Sequence, residues 1–395
     1  MNVTFLSGEY PPMQGGIADY TANLAACLSG HGVASSVLTS RKWQRFAAGQ
    51  PPPAGAVYPT LAGWGFRCWG QIQGHCRAYA VDVLHIQYQA AAFDLKGWVN
   101  WLPWRMRRGP NRPRLVVTFH DLRIPYIFPK AGPFRWRSIL ALARYSDAVV
   151  CTNLEDLETL RRELGAGEVA PRLYHIPLGS NVPVDPPPGY DRAAWRAQLG
   201  LPPDAFVLAY FGFLNESKGG EELIAVLDTL VERGYNARLL MIGGDIGASD
   251  PTNIDYARRV RTLLNERKLA ERVIFTGFVD LSGVSAHLLA ADVAVMPYRD
   301  GVSWRRTTLL AMLAHGLPLV TTRPAVPLPE LVDGENVLLA PPRDVPALAG
   351  AVERLAGEPD LRRRLAAGAV ELGRRFAWPE IARKMVGVYR DLGCA

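Results

Sequence analysis

One local pattern occurs twice in this chain of 395 residues and limits its fold more than any other feature. A short apolar run, Val3–Ser7, enters a proline–glycine turn, Pro11-Pro12-Met13-Gln14-Gly15-Gly16, and then a helical stretch. Phe206–Phe211 does the same through Gly212, Lys218, Gly219 and Gly220. A strand that passes through a glycine-rich turn into a helix presents bare backbone N–H groups and a helix N-terminus, a geometry suited to phosphate. Two such units predict two nucleotide-type domains facing one cleft.

The rest of the chain keeps this rhythm. Apolar, β-rich runs at 2–7, 33–39, 82–87, 115–120, 147–152 and 173–177 alternate with helical stretches, as do those at 206–211, 238–242, 273–276, 293–296 and 318–321. Alternation of this kind predicts α/β architecture with parallel sheets covered by helices. A helix is expected over 18–29, with Asp19 in its first turn and Gly30 at its end, and another over 220–233, stopped by Gly234. The Gly-, Pro- and Trp-rich stretch 43–75 reads as loop, and the proline run Pro183–Gly189 as a semi-rigid spacer between domains. An apolar content of 49 % supports a large core. No apolar run reaches the ~18 residues of a membrane span, and the N-terminus reads as the first strand rather than a signal peptide. The five cysteines have neither C-x-x-C pairing nor zinc spacing and read as idle thiols of a reducing cytosol.

Charge is uneven. Residues 1–185 hold nineteen Lys and Arg against twelve Asp and Glu, which accounts for the whole net charge of +7. Within 96–114, Trp98, Trp101 and Trp104 recur beside Arg105, Arg107 and Arg108. Aromatic anchors beside cations suit the surface of an anionic membrane, and packing of the tryptophans inside the domain is the alternative. No helix-turn-helix, zinc finger or RNA-binding aromatic pattern accompanies the basic residues, so nucleic acid is not the expected partner.

Several clusters carry chemistry. Gly15 and Gly16 allow close approach to backbone, though a plain tight turn needs them equally. Lys218 lies just before a helix N-terminus, where a cation is unfavourable unless an anion occupies the site or solvent screens it. Ser303 is placed to cap a helix that ends at Gly316, and Arg305 and Arg306 follow it. Two arginines in a first turn suit a diphosphate, with an acidic neighbour as the other partner they could take. His120 and Asp121 close the strand Leu115–Phe119, where ligands of open α/β sheets bind; His85 sits at a similar strand end and reads first as structural, with the acceptor side as the alternative. A serine triad, a Walker loop, a G-x-G-x-x-G fingerprint and a metal-binding D-x-D motif are all missing from the sequence.

Taken in order, these segments resemble glycosyltransferase family 4. The likeness runs through Pro11–Ile17, Thr118-Phe119-His120-Asp121, Ile176-Pro177-Leu178-Gly179, Phe211-Gly212 to Lys218-Gly219, Val273–Gly277, Val332–Asn336 and Pro341–Asp344. The resemblance implies the GT-B fold, with two Rossmann-like domains facing an interdomain cleft. It places an acceptor-side domain at 1–185, a nucleotide-sugar domain at 186–375, and a terminal helix at 376–395 that packs back on the first domain. It implies retaining transfer from a nucleoside diphosphate sugar to a glycan or lipid-linked acceptor, with no cofactor and no metal. The location it implies is the cytoplasm, at the inner face of a membrane where 96–114 touches one. His120 and Asp300 would be catalytic. Gly15, Gly16, Gly212, Lys218, Ser303, Arg305 and Arg306 would hold the donor, and His85 and Asp121 would lie on the acceptor side. A phosphorylase or epimerase on the same fold, or an inactive sugar-nucleotide-binding homologue, are the alternatives. The chain departs from the family pattern where a glutamate pair is expected: counting back from Gly316 finds Ser303 and Ala311, with Asp300 as a stand-in for one acid. The arginine expected after Gly212 is Phe213.

Overall fold

The computed structural model describes residues 1–13, 15–50, 55–107, 109, 112–122, 132–165, 171–244 and 251–394. They form two compact units, Met1–Gly179 with Trp378–Ala395, and Ser180–Ala377. The first contains β1 (Asn2–Ser7), β2 (Ala34–Ser40), β3 (Ala56–Leu61), β4 (Val83–Tyr88), β5 (Arg114–Phe119), β6 (Ala148–Cys151) and β7 (Arg172–His175). They make one parallel sheet in the order β3-β2-β1-β4-β5-β6-β7. The second contains β8 (Phe206–Phe211), β9 (Ala237–Ile242), β10 (Val273–Phe275), β11 (Val293–Met296), β12 (Leu319–Thr322) and β13 (Leu338–Ala340), also parallel, in the order β10-β9-β8-β11-β12-β13. In both, the chain adds strands outward on one side of its first strand and then returns to the other side, which is the doubly wound Rossmann order. Central strands are buried along nearly their whole length, β4 from end to end, as expected where helices cover both faces.

The stretch 43–75 is not loop. It holds the short helix Trp43–Ala47, β3, and the start of the helix Cys68–Ala78. β3 tolerates Pro59 because it is the edge strand, where a missing N–H breaks no ladder on its outer side. The tryptophans there are structural: Trp64 is buried edge-on against Phe93, and Trp43 Nε1–H donates to Pro11 O (2.9 Å). The first helix spans Gly16–Leu28 and closes through a tight 3-10 turn, so the left-handed stop falls on Gly32 (φ 71°) rather than on Gly30. The units divide at 179/180 and 377/378, where the sequence places boundaries at 185/186 and 375/376. The proline run belongs to the second unit because the Asp185 N–H donates to Ser285 Oγ (3.0 Å) and the Tyr190 hydroxyl to Ala286 O (3.2 Å), both on the helix Leu281–Ala290.

The final helix, Trp378–Asp391, lies in the first unit. Ile381, Met385 and Tyr389 share a core with Tyr20, Leu24 and Leu28 of the helix Gly16–Leu28. Its first residue anchors an aromatic column. The Trp378 ring lies so close to Gly179 that a Cβ there would come within 2.5 Å of it. Trp378 meets Tyr20 edge-on (5.2 Å), and Tyr20 meets His120 edge-on (4.7 Å). Gly179→Ala should therefore overpack the column and cost about 1–3 kcal/mol. Gly74→Ala, on the helix Cys68–Ala78 with open space around the added carbon, should instead stabilise by up to ~1 kcal/mol. Urea unfolding of the two variants checks the contrast.

Candidate active site

In the second unit β8 and β11 are neighbours, while the chain leaves β8 toward β9 on the opposite side. Helical connections therefore diverge at the carboxyl ends of these two strands and leave a crevice, the usual ligand position in such sheets. Gly212 follows β8 with φ 109°, and a Cβ on it would come within 2.9 Å of Lys218 Nζ. The ammonium thus lies over bare backbone that only glycine leaves open. Lys218 is held by a tight turn capped by Asn215, whose Oδ1 accepts from the Lys218 N–H (3.1 Å). Gly219 follows at φ 70°, pressed so close to Pro297 O after β11 that a Cβ would lie 2.0 Å from it. The helix Gly220–Glu232 starts there.

The charges around this turn are unequally satisfied. Arg299 reaches three carboxylates: Nε donates to Glu222 (2.7 Å), Nη1 to Glu216 (3.2 Å) and Nη2 to Glu221. Glu221 and Glu222 occupy the helix's first turn and Glu216 the tight turn before it, so the helix dipole and Arg299 are both compensated. Arg306 donates through Nη2 to both carboxylate oxygens of Asp300 (2.6 and 2.7 Å), and its guanidinium lies over the Tyr298 ring (4.8 Å). Lys218 has no acidic partner among the described residues. Desolvation, with the nearby Arg306 charge adding to it, pulls its ammonium down to about 8. Among the described residues, Lys218, Arg306 and Asp300 therefore leave a net positive charge at the switch point, in a partly dry setting.

Ser303 does not cap the helix. Its carbonyl accepts from the Arg306 N–H (3.1 Å), which closes a turn and delays the helix to Thr307–Ala314, with Arg306 as the residue before it. Arg305 is half-buried. Ala311 is fully buried and Phe213 is exposed, so neither brings a polar group to this site.

The first unit collects a second set of residues, described by itself. Gly15 precedes the helix Gly16–Leu28 in extended backbone (φ 166°), and a Cβ there would lie 2.2 Å from Glu9 Oε2. Gln14 falls outside the described residues. Desolvation raises the Glu9 carboxyl, an effect that nearby Lys42 partly offsets. His120 Nε2–H donates to Gln87 Oε1 (2.9 Å), which leaves Nδ1 as a lone pair. Burial brings His120 down to about 3, so it is neutral near pH 7 and suited to accept from a hydroxyl rather than to act as an acid. Asp121 accepts from Gln89 Nε2 (2.8 Å). His85 is fully enclosed. Nδ1 lies 2.7 Å from the Tyr389 hydroxyl and Nε2 2.7 Å from Thr118 Oγ1, so it ties β4 to β5 and the final helix, with no ring nitrogen open to an acceptor. Arg299 and Glu9 were not singled out from the sequence. Arg299 follows Pro297-Tyr298 at the end of an apolar strand and could have been paired with the acids at 221 and 222; Glu9 carries no comparable signal. No cluster of three metal-binding side chains occurs among the described residues.

Residues 14–182 match the family model described as Glycosyltransferase Family 4, and residues 205–358 match Glycosyl transferases group 1. A D-inositol 3-phosphate glycosyltransferase of Xylanimonas cellulosilytica is 30 % identical over 320 residues, covering 78 % of this chain and 71 % of that one. The alpha-D-kanosaminyltransferase of Streptomyces kanamyceticus is 26 % identical, with 76 % of each chain covered. Among solved structures, Anabaena HepE in complex with UDP superposes with a TM-score of 0.74 at 17 % identity, covering 99 % of this chain and 100 % of that one. Sucrose-phosphate synthase from Thermosynechococcus elongatus gives 0.72 at 24 % identity, with 99 % and 98 % covered. These structures share the GT-B fold, with its two Rossmann-like domains.

The desolvated lysine has a consequence for stability. Its folded value lies below the ordinary 10.5, so between pH 8 and 10.5 the unfolded chain holds a proton that the folded chain has released, and stability rises with pH across that window. Lys218→Met should therefore melt higher than the parent at pH 7 without ligand, and the gap should narrow as pH rises from 8 to 10.5. Thermal melts at several pH values measure it.

Proposed function

The chain belongs to glycosyltransferase family 4, and from that premise we propose that it moves a sugar from a nucleoside diphosphate sugar to a hydroxyl acceptor with retention of configuration. The observation that carries the reading is the Lys218 ammonium, desolvated and without a carboxylate among the described residues at the open end of β8. An anion there relieves a cost the folded chain otherwise bears, and the donor's diphosphate is such an anion. Arg306 is assigned as the second cation. Without nucleotide it is neutralised by Asp300; with donor bound it turns to the diphosphate, and Asp300 is freed to accept hydroxyls of the sugar. Arg305, its neighbour in the turn, is assigned to the same clamp.

As the glycosidic bond breaks, negative charge grows on the departing phosphate, and fixed cations stabilise it more in the transition state than in the ground state. The departing phosphate takes the acceptor's proton on the same face of the sugar, so configuration is retained. The protein's work is then to position and to stabilise charge, with side-chain cations rather than a metal ion on the phosphate. The first unit is assigned the acceptor, a glycan or a lipid-linked molecule of cell-envelope synthesis, and His120 would orient it by accepting from a hydroxyl other than the attacking one. The structural likeness to a UDP-bound protein supports trying uridine nucleotides first. The exposed Trp98, Trp104, Arg105 and Arg107 support work at a cytoplasmic membrane surface.

Calorimetry with UDP tests the clamp. Lys218→Ala and Arg306→Ala should each weaken UDP by roughly 10–100-fold, the range for a lost hydrogen bond to a charged group. Arg305→Ala, measured beside them, should lower turnover. Unchanged affinity and turnover in all three variants would overturn the assignment. Slow hydrolysis of donor by the purified parent would set aside an inactive binding homologue.

A further inference from the structure

The first unit contains a cavity of about 380 Å³ at the carboxyl end of β4. It lies within the first unit alone, one residue along from the groups assigned to the acceptor. Tyr88, which lines it, accepts at its carbonyl from the His120 N–H (3.1 Å), and the following Gln89 holds Asp121. The walls are mostly apolar: Trp98, Trp101, Phe134 and Ile139 contribute them. Trp98 is 45 % exposed and Phe134 68 %, so apolar surface continues to the mouth, where Trp98 also meets the exposed Phe66 (6.0 Å). Lys96, exposed beside Trp98, brings a cation to the cavity's edge.

The cavity also has one polar wall. Asn100, 2 % exposed, donates both amide hydrogens, to the Tyr88 hydroxyl (2.9 Å) and to Ser138 Oγ (2.9 Å). Its Oδ1 is buried with no partner among the described residues. An unpaired buried carbonyl costs about 1–3 kcal/mol. Oδ1 is closed to water, so a ligand hydroxyl or N–H reaches it by displacing a wall side chain; doing so removes that cost, whereas a purely hydrocarbon ligand leaves it in place. Aromatic walls, one unmet acceptor and a cation at the rim together describe a single chemical class.

We propose that this cavity seats the apolar part of the acceptor, an anionic amphiphile whose buried portion carries a hydrogen-bond donor for Asn100 and whose charged group lies by Lys96. The inference rests on the reading of the chain as a transferase and names its acceptor class. It also gives the tryptophan–arginine segment a use besides lying on a bilayer: Trp98 and Trp101 would line a ligand's path rather than anchor the chain alone.

The test uses the whole chain without donor and three probes, ω-hydroxydecanoate, decanoate and decanol, followed by calorimetry. ω-Hydroxydecanoate should bind saturably and about tenfold tighter than decanoate, the worth of one satisfied buried acceptor. Trp98→Ala should weaken it at least tenfold. Lys96→Glu should weaken both carboxylates and leave decanol unchanged. Both substitutions are at exposed positions, so thermal melts should stay close to the parent. No saturable binding, equal binding in Trp98→Ala, or preference for a free hexose phosphate over ω-hydroxydecanoate would each overturn the proposal. UDP binding, measured on the same preparations, should be intact in both variants. Its loss in the parent would count against the donor reading alone, and its presence with no amphiphile binding against this inference alone.

Discussion

In each sheet the chain builds outward from its first strand and then crosses to the other side, and this reversal leaves two adjacent strand ends uncovered. Nearly everything of chemical interest in the second unit gathers at one such gap, between β8 and β11. Gly212 closes one strand in a backbone conformation that side chains avoid, and Pro297-Tyr298-Arg299-Asp300 leave the other. Glycines at 212 and 219 let the turn collapse onto its neighbours, to Lys218 Nζ in one case and Pro297 O in the other. Without them the ammonium could not lie over the backbone.

Electrostatics then separates structure from function within a few residues. Arg299 is surrounded by Glu216, Glu221 and Glu222 and is nearly buried, so it works as a clasp between the loop after β11 and the helix Gly220–Glu232. Such a network compensates the helix dipole inside the protein and leaves little field for a ligand. Lys218 is treated oppositely. It is desolvated, repelled by Arg306 and given no acid by the described residues, a local arrangement that lowers stability and makes sense where an anion arrives. Arg306 stands between the two cases, paired with a single exposed carboxylate that a multiply charged ligand can outbid.

The sequence shows this arrangement to different depths. Strands such as Phe206–Phe211 and Val293–Met296 are apolar runs bounded by turn residues, and the sequence reading places them at their observed ends. β13 escaped notice because it is only three residues long, though largely buried, and β3 because it is a half-exposed edge strand in which Pro59 argues against a strand unless the edge is known. Lys218 was legible through a local conflict, a cation before a helix start. His85 was legible as structural but not decisively, because a histidine at a strand end looks the same whether it opens to a ligand or is closed off by Tyr389, more than three hundred positions away. The same limit applies to Ser303: its helix-capping chemistry is local, but the turn that displaces the helix start depends on packing around Trp304, which is buried against Phe376. An acidic neighbour for Arg306 was foreseen as one of two outcomes, and Asp300 supplies it.

A structure of the protein with UDP bound tests the central claim most directly. The account predicts diphosphate oxygens within hydrogen-bond distance of Lys218 Nζ, with the Arg306 guanidinium turned from Asp300 toward them. A diphosphate bound elsewhere, with Lys218 still lacking an anionic partner and Arg306 still on Asp300, would contradict it.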